Sequence, residues 1–213
     1  MMELIIVRHG ETDSNVKKAL LGITDEALNE NGLKQAKIAS KKLGKLKIDS
    51  IYSSPLKRAA ATAEIIKNQL CDKYDKKEDK TIKENKRTKL ITYTDYLKER
   101  NFGKWDGMTL DEIKQSYPEE YEMWMKDAEF CAKNAESVSG VKKRIKSFLS
   151  ELCSFPYEGT HIIVTHLGCI RYMIAFLLEL PDEYSWRFRV DNGSLTKVQI
   201  NNEGYAFLTM LNG

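Results

Sequence analysis

The sequence predicts an α/β fold, a three-layer α/β/α sandwich around a mostly parallel central sheet, and three observations carry that reading. Short apolar, β-branched runs alternate with longer segments whose apolar residues recur every three to four positions. Three of those runs stop abruptly at turns bearing glycine, serine or proline, as strands do when they deliver the chain to one sheet edge. The chain has 213 residues, 42% of them hydrophobic and 31% charged, which is enough for one α/β domain with a substantial core. Strand–helix alternation of this kind lays helices over a parallel sheet.

The first strand is Glu3 to Val7, and Arg8-His9-Gly10-Glu11-Thr12 follows it directly. Asn29 caps a helix running through Leu33, Ala36, Ile38, Ala39 and Leu43 to about Gly44. A second strand, Ser50 to Ser53, leads into Ser53-Ser54-Pro55-Leu56-Lys57-Arg58-Ala59. The helix after Pro55 carries Leu56, Ala60, Ala63, Ile66 and Leu70 on one face. Another helix spans about Glu136 to Leu152, with Val141, Ile145, Phe148 and Leu152 spaced for one face. The strand Thr160 to Val164 runs into Thr165-His166-Leu167-Gly168, and a helix follows through Ile170, Met173, Ile174 and Leu177. Leu195 to Ile200 and Ala206 to Leu211 form a terminal hairpin about the turn residues Asn201 to Gly204. Between Cys71 and Lys89 the pattern lapses, and the mixed-charge run Asp72 to Lys80 reads as a solvated connector. There is no internal repeat.

Composition excludes several classes. The net charge is +3, from 34 basic and 31 acidic residues, so no basic excess points to nucleic acid. No apolar run reaches transmembrane length, and the chain enters a strand at once, so neither a membrane span nor a signal peptide is expected. Cys71, Cys131, Cys153 and Cys169 form no C-x-x-C pair and read as reduced thiols of a cytoplasmic protein. Neither nucleotide-binding glycine motif occurs. The three histidines lack ligand spacing and the carboxylates are scattered, so no metal and no cofactor is expected. The sequence leaves open whether the protein is a homodimer.

The chemistry collects at strand ends. Arg8 sets a fixed cation beside the imidazole of His9 at the C-terminal edge of a sheet, where open α/β sheets bind ligands. That pair suits one task, holding an anion while a neutral ring nitrogen attacks it. Arg58, Leu97 to Gly107 with Glu99, and His166 add an arginine, a carboxylate and a histidine near other extended segments. His161 lies inside a strand, off any motif, and has no assigned chemistry.

Taken in order, these four segments resemble the histidine phosphatase superfamily, in the branch that holds cofactor-dependent phosphoglycerate mutases and smaller phosphatases. The resemblance covers the chain from Arg8 to beyond His166. It implies one phosphoglycerate mutase-like domain over 1–213, with residues 71–132 as a lid-like insertion over the site. It also implies a phosphomonoesterase acting on a small phosphorylated metabolite. On that likeness His9 is the nucleophile, Glu99 the acid–base group, and Arg8, Arg58 and His166 complete the catalytic set. Arg8 and Arg58 would cage the phosphoryl oxygens, and His166 would donate to them as charge develops. Asn15 falls where the family donates a side-chain amide to the phosphate. Gly22 and Ile23 fall where it turns its backbone toward the phosphate. Alanine stands at 135 and leucine at 167 where the family usually has glycine. Phe102, Leu110 and the arginine-free stretch Ile113 to Lys126 match the phosphatase side, whereas Arg100 is mutase-like. Among substrates the resemblance suggests α-ribazole 5′-phosphate, with Trp105 placed either at the pocket mouth or in the core. The alternatives are a phosphoglycerate mutase and a non-catalytic phospho-ligand module.

Overall fold

The computed structural model describes residues 1–44, 46–75, 90–127, 129–154 and 156–213. Six strands form one sheet: β1 (Met2–Arg8), β2 (Ser50–Ser53), β3 (Ile91–Tyr93), β4 (Gly159–Thr165), β5 (Leu195–Ile200) and β6 (Ala206–Met210). Their order is β3-β2-β4-β1-β5-β6. The pairs β1–β4, β2–β4 and β2–β3 are parallel, and the terminal hairpin adds β5 and β6 antiparallel. The helices are α1 (Asp13–Val16), α2 (Glu30–Leu43), α3 (Lys57–Asp75), α4 (Leu110–Ser116), α5 (Pro118–Lys126), α6 (Val138–Leu152) and α7 (Leu167–Leu177).

Period-two alternation sorts the strand side chains onto two faces. Leu4 and Ile6 of β1 and Ile163 of β4 join the core under α6 and α7, with Val141, Ile145, Ile170 and Met173. Ile5 and Val7 of β1 and Ile162 and Val164 of β4 face α2 and α3, with Ala39, Leu43, Ala63 and Ile66. This is the expected three-layer arrangement. Each Leu, Ile or Val fully buried there contributes roughly 1.5–3 kcal/mol. A third, smaller cluster packs Trp105, Ile113 and Ala132 with Tyr117, Tyr121, Trp124 and Phe130 around α4 and α5.

Several details differ from the sequence expectation. Asn29 caps α2 as expected, accepting from the Gly32 N–H at 2.8 Å, but Leu33 and Ile38 face solvent. Positions 32, 36, 39, 40 and 43 form the buried stripe at helical spacing, and 33 and 38 lie off it. On α3 it is Ala59 rather than Ala60 that packs with Ala63, Ile66 and Leu70. Ser137 caps α6, so that helix begins after Glu136. Gly168 is the second residue of α7 rather than its precursor. Strand β3 and helices α4 and α5 are elements that the sequence reading did not contain. They are short; α4 buries only Ile113, and α5 has no buried residue. Trp105 is core and only 2% exposed. Neither Ala135 nor Leu167 needs a positive φ; Asn134 takes the left-handed turn instead, at φ 64°. Asp72 to Asp75, expected as the start of the connector, continue α3 instead, and residues 76–80, with Lys86, Arg87 and Lys89, lie outside the described residues.

Candidate active site

Three strand ends build the site. The His9 N–H donates to Thr165 O at 3.0 Å and the Ser54 N–H to Val164 O at 3.0 Å. The ladder therefore continues past β1, β2 and β4 and sets His9, Ser54 and His166 side by side. Gly10 is obligatory here, because a Cβ would run into the backbone of Gly32 at the start of α2.

His9 Nδ1 lies 2.7 Å from Gly10 O. A carbonyl oxygen only accepts, so in the neutral ring Nδ1 carries the proton and Nε2 keeps its lone pair. Burial, then the charges of Arg58 and Arg8, holds His9 well below the ordinary histidine range. The ring is thus neutral at physiological pH and is aimed by its own backbone.

His166 caps the start of α7, and its ring centroid is 5.0 Å from that of His9. Arg58 Nε donates to His166 Nδ1 at 3.2 Å, so the His166 proton sits on Nε2, which lies 2.8 Å from Ser54 Oγ. Burial, then Arg58, pushes His166 well below the ordinary range as well.

Arg58 is fully buried and most of its fork is engaged. Nη1 donates to Thr24 O at 2.8 Å, and Nη2 donates to Gly22 O at 2.6 Å and Leu21 O at 3.4 Å. A guanidinium has five N–H donors, and four are committed. The expected two-pronged grip is therefore reduced to one free N–H and a full positive charge. Arg8 is the opposite case. Nη1 donates to Val190 O at 2.6 Å, while the buried Nε has no partner among the described residues. Burial lowers Arg8 to about 10, opposed by the charge of Glu99, so it stays cationic. A buried unpaired donor on a cation is a ready anion ligand.

Glu99 is buried, accepting from the Arg100 N–H at 2.9 Å and the Gly168 N–H at 3.0 Å. The Arg100 side chain turns away, its Nε donating to Glu136 O at 2.9 Å. Arg100 is therefore a strut of the 100–136 segment. Asn15 Oδ1 accepts from the Thr12 N–H at 3.2 Å and from Asn192 Nδ2 at 3.0 Å, which leaves its NH₂ as the donor. The expectation for Gly22 and Ile23 needs correction. Their N–H groups donate to Asp106 Oδ1 and Oδ2 at 2.8 and 2.9 Å, and Thr24 N–H joins at 3.1 Å, so none is free for a phosphate. Asp106 satisfies a loop whose carbonyls face Arg58.

His161 sits near the opposite end of β4, with its ring nitrogens on Ser50 Oγ and Glu158 O. Cys169 is buried, and burial pushes its thiol up to about 12, so it is a packing residue. Among the described residues no group of three His, Cys, Asp or Glu side chains is placed to hold a metal. None of the described helices is long and apolar enough to cross a membrane.

Sequence reasoning missed Asp106 as a loop clamp, a contact across more than eighty positions that no local pattern signals.

The family model of the histidine phosphatase superfamily (branch 1) matches residues 4–213. The chain is 32% identical to phosphoserine phosphatase 1 of Hydrogenobacter thermophilus, over 99% of this chain and 92% of that protein. It is 28% identical to a 2,3-bisphosphoglycerate-dependent phosphoglycerate mutase of Methanococcus vannielii, over 100% and 96%. The structure of the alpha-ribazole phosphatase from Shigella flexneri superposes with a TM-score of 0.84 at 27% identity, covering 100% of this chain and 96% of that one. With the motifs in order along one sheet edge and the family model spanning nearly every residue, this chain belongs to branch 1 of the histidine phosphatase superfamily.

Proposed function

We propose that the protein hydrolyses phosphomonoesters of small metabolites without a metal, through a phosphohistidine on His9. One observation carries this reading. The His9 proton is locked on Nδ1 by Gly10 O, which leaves a neutral Nε2 under the charges of two guanidinium groups.

In the first step His9 Nε2 attacks phosphorus, the P–O ester bond breaks in line, and Glu99 gives a proton to the departing alkoxide. Arg8, with its unpaired Nε–H, and the remaining N–H of Arg58 neutralise the phosphoryl oxygens. A phosphoryl oxygen is a stronger, charge-assisted acceptor than Ser54 Oγ, so it draws the Nε2 proton of His166. In the second step water attacks the phosphohistidine, Glu99 takes its proton, and inorganic phosphate leaves. Asn15 NH₂ adds a neutral donor. The segment from Leu97 to Ala132 acts as the lid of a single domain, a role supported by the contact of Asp106 with the 22–24 loop. The free cysteines support a cytoplasmic setting.

The relatives suggest two substrates, α-ribazole 5′-phosphate and phosphoserine, which differ in whether the alcohol carries a carboxylate. Arg100 commits its Nε and Nη2 to the 130–136 segment, and that argues against a mutase needing extra cations for a bisphosphorylated intermediate.

The test is phosphate release with trapping. Wild type releases phosphate from a nitrophenyl ester in the presence of a chelator and yields acid-labile, base-stable phosphoprotein on quenching. His9→Ala does neither. Turnover by His9→Ala ends this mechanism.

A further inference from the structure

We propose that Arg171 determines specificity: its guanidinium forms a second anion subsite, beside Arg8, for a carboxylate on the alcohol portion of the substrate. The inference rests on the phosphatase reading above and deepens it to a substrate class.

Gly168 and Arg171 stand at i and i+3 on α7 and so share a helix face. Gly168 packs on the Glu99 carboxylate, donating its N–H to Oε2, and a Cβ at 168 would come within 2.6 Å of Oε1. The face that carries Arg171 is therefore the face that looks onto the acid–base residue. The segment after α7 holds both arginines. Arg171 Nε donates to Phe188 O at 2.8 Å, and Arg8 Nη1 donates to Val190 O at 2.6 Å. Phe188 is in extended backbone. Both arginines are thus tied to carbonyls two residues apart in one short segment, and the Arg171 charge bears on Arg8, so the two guanidinium groups are neighbours.

Two further observations fix what Arg171 has left to offer. Its Cζ lies 5.3 Å from the ring centroid of Trp186, so the exposed indole supports one face of the guanidinium. Its Nε is used, and among the described residues its Nη nitrogens have no protein acceptor. Electrostatics agrees with the placement, because the Arg171 charge bears on Arg8 and the Glu99 charge bears on both. Arg58 has one free N–H, and Arg100 is a strut. Arg171 is thus a half-buried cation near the cage, beyond Arg8, with its Nη nitrogens still open, and such a fork matches a carboxylate.

The probes are O-phosphoserine and O-phosphoethanolamine, the same ester with and without the carboxylate. Wild type is expected to prefer O-phosphoserine in kcat/KM. Arg171→Ala is expected to lower the ratio of the two kcat/KM values ten- to hundredfold, chiefly through KM for O-phosphoserine. Arg171→Lys keeps part of the preference as a point charge. The ratio cancels any general loss of folded enzyme, so a merely structural role leaves it in place. A wild-type ratio near one, or the same ratio in wild type and Arg171→Ala, overturns the subsite while leaving the phosphatase reading intact. Failure of wild type to release phosphate even from a nitrophenyl ester overturns both.

Discussion

Arg58 and His166 orient each other. The Nε–H of Arg58 points at His166 Nδ1 across 3.2 Å in the interior, and this fixes the tautomer of the histidine and the plane of the guanidinium together. The contact has an electrostatic consequence. A protonated His166 would set a second cation against Arg58 in a desolvated site, and the same holds for His9, which lies beside it.

Acid should therefore destabilise the fold earlier than the carboxylates alone require. Both histidines are held well below 6.5, by burial first and then by Arg58. Between 6.5 and the lower folded values the unfolded chain binds protons that the folded chain does not. Stability is thus fully present above about pH 6.5 and falls as the pH drops below it. The slope approaches about 1.4 kcal/mol per pH unit for each histidine. Urea unfolding midpoints at pH 7.5, 6.0 and 5.0 measure this. A midpoint that rises on acidification contradicts it.

Asp106→Ala should weaken oxyanion binding although Asp106 touches no substrate in the proposed scheme. Three loop N–H groups lose their acceptor, and the carbonyls of Gly22 and Thr24 that hold Arg58 lose their fixed position. The expected losses are about tenfold in vanadate affinity and about 1–3 kcal/mol in stability. A calorimetric titration with vanadate checks the first and chemical denaturation the second. Unchanged vanadate affinity would show that Arg58 keeps its place without the clamp.

Glu99→Gln should slow an alkyl phosphate about 10²- to 10⁴-fold and a nitrophenyl phosphate far less, since a nitrophenolate leaves without a proton. Gly168→Ala should reproduce that leaving-group dependence in weaker form, because its Cβ would press on Glu99 Oε1. Parallel kinetics on both esters decide the matter. Equal losses on the two esters would assign Glu99 a structural role.

The mutase alternative makes a separate prediction. In a coupled assay with 2,3-bisphosphoglycerate present, conversion of 3-phosphoglycerate to 2-phosphoglycerate should be slow beside phosphate release from an ester. The backbone bonds of Arg100 and the absence of arginine from Ile113 to Lys126 leave few cations to retain the intermediate. Mutase turnover well above phosphate release would overturn the phosphatase reading and leave the fold standing.

The sequence by itself determined what depends on neighbours along the chain. Apolar period two and a glycine stop mark β1 and the turn after it, Asn29 starts α2, and Asn201 to Gly204 close the last hairpin, because local backbone chemistry dictates each. The order of the four motif segments carries the family resemblance that implies one site for His9, Arg58, Glu99 and His166. Tertiary structure alone decided how those groups share their hydrogen bonds. Arg58 spends four donors on a loop and a histidine, and Asp106 takes the N–H groups of Gly22 and Ile23. Trp105 is core rather than pocket, while Trp186 stacks beside Arg171. These are contacts between residues up to about a hundred positions apart, such as Arg58 and His166. A side chain's donors commit to whichever acceptors the packed sheet edge brings within 3 Å or so, and no local pattern encodes that choice.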